Sequence, residues 1–474
     1  MPSLLISAAH KSSGKTTITL GLCAALSISK KVQPFKKGPD YIDPLWLAQA
    51  SHRPCYNLDF YTMSHSEIRA SFARHSSGAD ISIIEGNKGL YDGMALDGSD
   101  SNAALAHLLD VPVILVIDTQ GTTRGIAPLI FGYQKFGQKI DLNVNIAGII
   151  LNRVGGTRHE AKLRESVEYY TNVPVVGAVQ RDSSLAIKER HLGLMPSNED
   201  NQALEKINRI SELIAAQVNL EQIQSLASYA GPALQSVDDS GWPRREPDVS
   251  IGIIRDAAFG FYYADDLEAL QDAGAKLVFI DALRDSRLPA VDALFIGGGF
   301  PETLMEPLSN NNELKNAIRT AIERAMPVYA ECGGLMYLSR RLIWGDKSGE
   351  MVGALPFNTV MQPRPQGRGY VHLRETGLGL WPLLDSAGQP SDFYAHEFHY
   401  SKAIDLPSNL TYAYQVLRGD GIDGSHDGVV YKNTLANYTH LRAVGNNRWT
   451  ERFVEFVRAH QKDSEFSKFE NLPT

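Results

Sequence analysis

The sequence contains little cysteine, no long hydrophobic run and no excess of positive charge. Its cysteines, Cys23, Cys55 and Cys332, are too scattered for a metal site or a disulfide framework, which indicates reduced thiols, as in the cytosol. Apolar runs such as 111–117 are far shorter than a membrane span, and 1–8 lacks the basic and apolar parts of a secretory signal. A net charge of −8 argues against a nucleic-acid partner. We therefore predict a cytoplasmic protein without a membrane segment.

Short β-branched runs, separated by segments that can form helices, occur in two series and predict two α/β units with parallel sheets. Their continuous hydrophobicity is typical of strands covered by helices on both faces. Between the series, 227–247 contains glycine, proline and charge without periodicity, which predicts a linker. We predict domains at 1–226 and 248–460 and a flexible tail at 461–474. The predicted strands are 4–7, 81–84, 113–117, 146–151, 173–176, 249–254, 276–280, 293–296 and 328–330.

A P-loop motif follows the first predicted strand and leads into a predicted helix at 18–26. In this motif, backbone amides at a helix N-terminus bind phosphates, the lysine reaches the β- and γ-phosphates, and the next hydroxyl binds Mg²⁺. Ala9 stands where the usual motif begins with glycine. A turn that only caps the helix is the alternative, but the order of strand, motif and helix favours nucleotide binding. The predicted ATP-binding residues are Ser12, Ser13, Gly14, Lys15, Thr16 and Thr17.

Two further segments place acidic side chains after the second strand and after strand 81–84. Asp40 and Asp43 lie on a turn bounded by glycine and proline, which suits metal binding or substrate activation, with an ordinary turn as the alternative. Glu85 ends a parallel strand beside the P-loop, where a second Mg²⁺ contact is expected, with a helix cap as the alternative. Asp92 follows in a glycine-rich loop, either as a substrate ligand or as a turn residue.

The second domain contains a cysteine placed as a nucleophile. Cys332 lies between strand 328–330 and a glycine-rich helix start, as in a nucleophile elbow, where the helix N-terminus is expected to lower the thiol pKa. Glycines 297–299 can donate backbone amides to an oxyanion, with the Gly333 amide as second donor. A buried thiol beside a helix cap is the alternative. The predicted oxyanion-hole residues are Gly298, Gly299 and Gly333.

A thiol nucleophile needs a base, and four downstream histidines are candidates. Spacing alone does not choose between them, and a lone histidine more often has a structural role. The candidates are His396, His399, His426 and His440.

Together these segments resemble the cobyrinate a,c-diamide synthase family, from about Leu4 to about Arg458. The resemblance implies a dethiobiotin-synthetase-like P-loop domain followed by a flavodoxin-like class I glutamine amidotransferase domain. It implies that ATP activates the a- and c-acetate carboxylates of a corrin ring and that glutamine supplies ammonia, for which we expect a protected interdomain passage. The segments that carry the resemblance are 8–17, 37–44, 85–93, 189–194, 255–259, 297–302, 331–334 and 396–401.

Carried over to this sequence, the resemblance implies residue roles. Cys332 resembles the glutaminase nucleophile, and His440 its activating histidine, which leaves His399 a structural or substrate-domain role. Mg²⁺ is expected with ATP, and no tightly bound organic cofactor is expected. The implied partners are a tetrapyrrole acid, glutamine and ATP, and the chain is compatible with a homodimer. The implied metal ligands are Thr16, Asp40 and Glu85, and the implied substrate ligands are Asp40, Tyr41, Asp43, Lys88 and Asp92.

One segment departs from the family pattern, because Asn87 and Lys88 stand where two apolar or small residues are expected. The added cation lies beside the predicted acetate-binding loop, with a solvated lysine as the alternative. Sister enzymes amidate sirohaem or nickel-sirohydrochlorin, so these are alternative substrates for the same chemistry. Alternatives of another class are a partitioning-type P-loop regulatory ATPase with an inactive amidotransferase-like domain, and a tetrapyrrole carrier. Intact Lys15, Thr16 and Cys332 argue against both.

Overall fold

The computed structural model divides into two compact units, Met1–Asp239 and Ser240–Thr474, and each is described by itself. Most of the predicted linker at 227–247 lies outside the described residues. No helix in the described part of the chain is both long and apolar enough to cross a membrane. The structure describes residues 1–140, 142, 144–182, 187, 189–190, 193–200, 202–228 and 245–470, without the side chains of 189–193 and 462–470.

The first unit alternates strands and helices along most of its length. Its elements are β1 Ser3–Ala8, α1 Lys15–Ser27, β2 Val32–Lys37, α2 Ile42–Ser51, β3 Tyr56–Leu58, α3 His65–Ser76, β4 Ile81–Glu85, α4 Asn102–Leu109, β5 Val113–Asp118, α5 Ile126–Lys139, β6 Ile146–Val154, α6 Thr157–Tyr170, β7 Val175–Gln180, β8 Glu189–Arg190, β9 Gly193–Leu194, α7 Ala203–Gln217 and α8 Leu220–Ala227.

The main sheet of this unit is parallel, in the order β3-β2-β4-β1-β5-β6-β7. Strands β1, β2 and β4 are buried at every position, as expected for strands covered on both faces. Glu85 is in register with Ile6 of β1 and Lys36 of β2, so the three strands end at one edge. In an open α/β sheet, ligands bind at this carboxyl edge.

The predicted strands of the first unit correspond to β1, β4, β5, β6 and β7, and only the last is displaced. Strand 173–176 was predicted, whereas β7 spans Val175–Gln180. Pro174 has no backbone N–H to donate to a ladder, and only its carbonyl pairs, with the amide of Ile149. The strand therefore begins after the proline.

The second unit begins with alternating strands and helices and then continues mainly with strands. Its elements are β10 Val249–Ile254, β11 Phe259–Phe261, α9 Ala264–Asp272, β12 Ala275–Ile280, β13 Ala293–Ile296, β14 Gly298–Gly299, a 3₁₀ helix Pro301–Leu304, α10 Met305–Asn310, α11 Asn312–Glu323, β15 Val328–Glu331, α12 Gly333–Leu338, β16 Arg341–Trp344, β17 Lys347–Glu350, β18 Asn358–Met361, β19 Gly367–Glu375, β20 Asp392–His399, β21 Ser401–Ile404, β22 Thr411–Arg418, β23 His426–Tyr431, β24 Thr434–Asn437 and α13 Trp449–Glu470.

The main sheet of the second unit has the order β12-β10-β13-β15-β24-β23-β22-β19-β20. Strands β12, β10, β13, β15 and β24 pair in parallel, which agrees with the predicted α/β unit. From β23 onwards the pairing is antiparallel, and the sequence analysis did not identify this part. The segment predicted as a flexible tail, 461–474, continues α13 as far as Glu470, and its last four residues lie outside the described residues.

Candidate active sites

The P-loop connects β1 to α1 and leaves the start of the helix open to a ligand. Gly14 precedes the helix with φ 84°, and no side chain caps the first turn, which also contains no acidic residue. The amides of this turn are therefore available to bind phosphate. The side-chain amide of Asn152 donates to the Ser13 carbonyl at 2.8 Å, and a Cβ at Gly14 would clash with that amide. Glycine is therefore required at this position.

The side chains that follow Gly14 meet an acid at the end of β4. Thr16 Oγ1 donates to Glu85 Oε1 at 2.6 Å, and Lys15 Nζ lies 3.5 Å from the same oxygen. Glu85 is fully buried, and its second oxygen, Oε2, has no hydrogen-bond partner among the described residues. Asp43 Oδ2 lies 3.5 Å from Thr16 Oγ1. The structure therefore places these four residues together, with one unsatisfied carboxylate oxygen.

The buried lysine Lys36 joins this cluster, and the sequence analysis missed it. Its Nζ forms a close ion pair with Asp43 and lies 3.4 Å from Glu85 Oε1 and 3.8 Å from Asp40 Oδ2. Burial alone would lower its pKa, but the carboxylates of Asp43 and Glu85 outweigh burial and raise it. The available signal was a lysine near the end of a strand of the buried sheet, where a buried charge needs partners.

The Asp40 side chain mainly accepts hydrogen bonds from nearby backbone amides. Its Oδ1 accepts the amides of Ile42 at 2.9 Å and of Asp43 at 3.1 Å, at the start of α2. Burial, together with the charge of Asp43, raises the pKa of Asp40 to about 7. Tyr41 is buried beside it. The metal role of Asp40 and the substrate roles of Asp40, Tyr41 and Asp43 stay predictions.

The oxygen atoms at this edge fit Mg²⁺ that arrives with nucleotide. Mg²⁺ commonly takes one or two protein oxygens and completes its shell with phosphates and water. Thr16 Oγ1, the Asp43 carboxylate and the unpartnered oxygen of Glu85 can supply them. The described side chains contain no ready-made group of three histidine, cysteine or acidic metal ligands, and the ammonium groups of Lys15 and Lys36 lie among the carboxylates.

The loop after β4 packs on the P-loop, and Asn102 holds its shape. Asn102 Oδ1 accepts the Asn87 amide at 3.0 Å, and its Nδ2 donates to the Gly89 carbonyl at 2.8 Å. Asp92 Oδ2 accepts the Gly89 amide at 2.9 Å, so this carboxylate also closes a turn. Lys88 is exposed and has φ 44°. Substrate binding by Lys88 and Asp92 stays a prediction.

In the second unit, Cys332 lies between β15 and α12 in a strained conformation, with φ 47° and ψ −100°. Its amide donates to the Asn437 carbonyl at 2.7 Å, and its Sγ lies 3.8 Å from the Phe398 carbonyl oxygen. A strained residue at a sharp strand-to-helix turn is the geometry of a nucleophile elbow.

The helix N-terminus lowers the pKa of the Cys332 thiol through the Gly333 amide, as predicted, but the pKa as a whole lies above its usual value. Burial raises the pKa of Cys332, and the carboxylate of Glu302 raises it further. The Gly333 amide opposes both effects but is outweighed, and α12 is only six residues long. The thiol is therefore protonated at neutral pH and must lose its proton during the reaction.

The predicted oxyanion-hole glycines lie close together. Gly298 and Gly299 form β14, which pairs with β11. A Cβ at Gly333 would lie 3.0 Å from the Gly299 amide nitrogen, and a Cβ at Gly298 would clash with Cε1 of the His440 imidazole. Glycine at these positions permits the close approach of the loop, the helix start and the histidine.

Of the four candidate histidines, His440 is the one beside this loop. Its amide donates to the His396 carbonyl at 2.7 Å. His440 is buried, and burial, with the nearby His399, lowers its pKa to about 3. Its imidazole is therefore neutral at physiological pH and can accept a proton from a thiol.

The sequence analysis also missed Glu331, which immediately precedes Cys332. Its Oε2 lies 3.4 Å from His440 Nδ1, and its Oε1 accepts the Leu441 amide at 2.8 Å and the Tyr329 hydroxyl at 2.5 Å. Burial raises the pKa of Glu331 to about 8. An acid at the end of a fully buried strand was the available signal.

The remaining histidines have other partners. His399 is buried and stacks on Tyr438 with ring centres 3.9 Å apart, and its Nδ1 lies 2.8 Å from the Ser401 carbonyl. His426 Nδ1 lies 3.1 Å from Asp423 Oδ2 on the surface. The structural or substrate-domain role implied for His399 stays a prediction.

Curated proteins named cobyrinate a,c-diamide synthase match almost the full length of this chain. The protein of Magnetococcus marinus is 45% identical over 97% of this chain and 97% of its own. The protein of Archaeoglobus fulgidus is 40% identical over 96% and 97%, and that of Methanosarcina acetivorans is 39% identical over 96% and 95%. The chain belongs to the cobyrinate a,c-diamide synthase family.

Two family models match separate parts of the chain. The CobQ/CobB/MinD/ParA nucleotide binding domain matches 5–194, and the CobB/CobQ-like glutamine amidotransferase domain matches 250–448. Membership of the cobyrinate a,c-diamide synthase family thus confirms the two-domain α/β fold class and the assignment as a glutamine-dependent amidating ligase. The nucleotide-binding match supports the use of ATP.

One segment that carries the resemblance to cobyrinate a,c-diamide synthases is only partly described. Within 189–194, the backbone pairs as β8 and β9, whereas His191 and Leu192 lie outside the described residues.

Proposed function

We propose that this chain amidates the a- and c-acetate carboxylates of cobyrinate, using ATP to activate each carboxylate and glutamine as the nitrogen donor. The observation that carries this proposal is the match to relatives of that name over at least 95% of both chains. These relatives favour cobyrinate over the alternative tetrapyrroles, sirohaem and nickel-sirohydrochlorin. The two candidate sites supply the groups that such a reaction needs.

In the second unit, Cys332 Sγ attacks the side-chain amide carbon of glutamine and passes its proton to the neutral imidazole of His440. The amides of Gly299 and Gly333 stabilise the oxyanion that forms. The carbon–nitrogen bond then breaks, and His440 returns the proton to the departing ammonia. Water hydrolyses the thioester to glutamate and frees the thiol.

In the first unit, an acetate oxygen of the substrate attacks the γ-phosphorus of ATP, ADP leaves, and an acyl phosphate forms. Lys15 and the amides of the P-loop bind the phosphates and balance their charge. Mg²⁺, held by Thr16 and Glu85, would neutralise part of the phosphate charge when bound. Ammonia then attacks the acyl carbon, and phosphate leaves, because phosphate is a far better leaving group than oxide.

Mass spectrometry of three parallel incubations tests the proposal. Cobyrinate, sirohaem and nickel-sirohydrochlorin are each incubated with the enzyme, ATP, Mg²⁺ and glutamine, and the amides formed are counted from the product masses. We expect two amides on cobyrinate, none without ATP, and glutamate release in step with amide formation. Amidation of another tetrapyrrole in place of cobyrinate would overturn the substrate. ATP hydrolysis without any amide would instead support a regulatory ATPase.

A further inference from the structure

Lys37, the last residue of β2, has a buried ammonium group that forms no ion pair with the described residues. The residue is 6% exposed, and its Nζ donates to Asn87 Oδ1 at 3.3 Å and lies 5.8 Å from the ring centre of Phe60. No carboxylate oxygen of the described residues forms an ion pair with this nitrogen. Burial of an ammonium group beside a neutral amide alone is unfavourable.

The preceding residue shows that the chain can neutralise such a charge. Successive side chains of a strand point to opposite faces, so Lys36 and Lys37 face different surroundings. Lys36 points to Asp43 and Glu85, whereas Lys37 points to the loop that contains Asn87. Lys36 is therefore paired with carboxylates of the protein, whereas Lys37 has no such ion pair among the described residues.

The electrostatic surroundings of Lys37 agree with this description. Burial, together with the cations Lys36 and Lys88, lowers the pKa of Lys37 to about 8. The carboxylates of Asp59 and Asp100 act in the opposite direction but are outweighed. The amine is therefore charged below about pH 8 and loses its proton above it. A bound anion would hold the proton in place.

The position of Lys37 indicates the kind of anion. It ends β2, while Phe60 follows β3 and Asn87 follows β4, so its surroundings come from three neighbouring loops at the carboxyl edge of the sheet. Ligands bind at this edge. Lys15, beside Glu85, is the residue predicted to bind the phosphates of the nucleotide, which leaves Lys37 for a different anion.

We propose that Lys37 binds a carboxylate arm of the tetrapyrrole polyacid and so positions the substrate beside Asp43 and Glu85. The hydrogen bond from its ammonium group to Asn87 leaves two further protons for a carboxylate. Lys88, exposed on the same loop, adds a weaker attraction for anions. This inference rests on the proposed function, because it takes the acid-bearing macrocycle as the substrate.

The variant Lys37→Met removes the charge, keeps the length of the side chain and is well suited to a buried position. We expect KM for cobyrinate to rise about tenfold, because a buried charge-assisted hydrogen bond is lost. KM for ATP and the rate of glutamine hydrolysis should stay within about twofold of wild type. The matched control is Lys30→Met, at an exposed lysine before the opposite end of the same strand.

Direct binding provides a second measurement that does not depend on turnover. Ultrafiltration with cobyrinate alone, followed by its visible absorbance, should give a Kd for Lys37→Met that is about tenfold higher than for wild type. Wild-type Kd should rise above about pH 8, as Lys37 loses its proton, and the variant should lack that rise. Thermal unfolding should show no loss of stability, because an uncompensated buried charge has been removed.

The outcomes separate this inference from the proposed function. Equal cobyrinate Kd values for wild type and Lys37→Met would overturn the role of Lys37, and so would an equal rise in KM for ATP. If wild type binds cobyrinate but does not amidate it, the proposed function fails, while the ratio of Kd values still decides the role of Lys37. If Lys37→Met fails to fold, Lys37→Gln tests the same prediction with a neutral polar side chain.

Discussion

The two candidate active sites occupy similar places in their sheets, but the first contains mainly charged side chains and the second mainly neutral ones. Each lies where a parallel strand gives way to a helix, with Lys15 after β1 and Cys332 after β15. In the first site the central groups are charged and paired, because Lys36 lies between the carboxylates of Asp43 and Glu85, which raises the pKa of Lys36 and lowers that of Asp43.

In the second site the groups are held neutral. Burial raises the pKa of both Cys332 and Glu331 and lowers that of His440 to about 3. The thiolate of Cys332 and the imidazolium of His440 must therefore form only when glutamine reacts.

This difference indicates what each site requires from its ligand. A nucleotide binds together with its phosphates and Mg²⁺. The lysines of the first site can therefore exchange carboxylates for phosphates, and the carboxylates can exchange lysines for Mg²⁺, without leaving a buried charge unpaired. Glutamine is neutral overall, so the second site depends on the placement of neutral groups. Changes in the first site should thus affect every synthesis, and changes in the second should affect only the supply of ammonia.

The largest expected effect is that of Lys15→Ala, which removes the cation that reaches the phosphates. Synthesis should fall by about 1,000-fold with either glutamine or ammonium chloride, because carboxylate activation is lost in both. Amide formation is measured with each nitrogen source, and Lys30→Ala, at an exposed lysine, is the control. Persistent ATP-dependent amidation would contradict the assignment of the P-loop.

Cys332→Ala should separate the two sites. Glutamine-driven synthesis should fall by about 10⁴-fold, because the nucleophile is gone, while synthesis from ammonium chloride should stay within about twofold. The same pair of assays measures both activities, and Cys23→Ala, at a buried thiol of the other unit, is the control. Equal loss with both nitrogen sources would show that the sites do not divide the work.

Sequence alone was sufficient where function depends on a local junction of strand and helix. The P-loop lies between β1 and α1, and Cys332 lies between β15 and α12, so their order along the chain reveals them; Glu85 is revealed in a similar way as the acid that ends β4. The parallel strands could also be predicted from the sequence, because a continuous apolar run is a local signal.

Sequence was insufficient where function depends on contacts between distant segments. The approach of His440 to Gly298 joins distant parts of the chain, and the partners of Lys36 come from two separate segments, the turn at 40–43 and the end of β4. The antiparallel strands β19 to β23 depend on long-range pairing, and the thiol pKa depends on how deeply the completed fold buries Cys332. No local pattern contains this information.

Glu331→Gln sharpens the comparison, because it tests whether the carboxyl group of Glu331 fixes the tautomer of His440. The glutamine oxygen should keep the place that accepts from Leu441 and Tyr329, which turns its NH₂ group towards His440 Nδ1. The imidazole must then accept at Nδ1 and carry its proton on Nε2, where it can no longer act as a base towards the thiol. Glutamine hydrolysis should fall about 100-fold, while synthesis from ammonium chloride is retained.

The pH profile distinguishes this role from simple structural support. In wild type, glutamine hydrolysis should rise with pH through about 8, because ionised Glu331 accepts from His440 Nδ1 and frees Nε2. The variant should lack that rise, since its amide does not titrate. A variant that keeps the wild-type profile at a reduced rate would show that Glu331 supports the fold without orienting His440.

Gly298→Ala gives the smallest expected effect and tests how closely the second site depends on geometry. The added Cβ would clash with Cε1 of His440, so the imidazole must move away from the oxyanion loop. Glutamine hydrolysis should fall about tenfold, because small displacements of catalytic groups are costly, while synthesis from ammonium chloride should not change. Gly132→Ala, where nothing lies within 4 Å of the added carbon, is the control. Unchanged glutamine hydrolysis in Gly298→Ala would mean that the second site tolerates displacement of the His440 imidazole. The claim that this site depends on the placement of neutral groups would then be wrong.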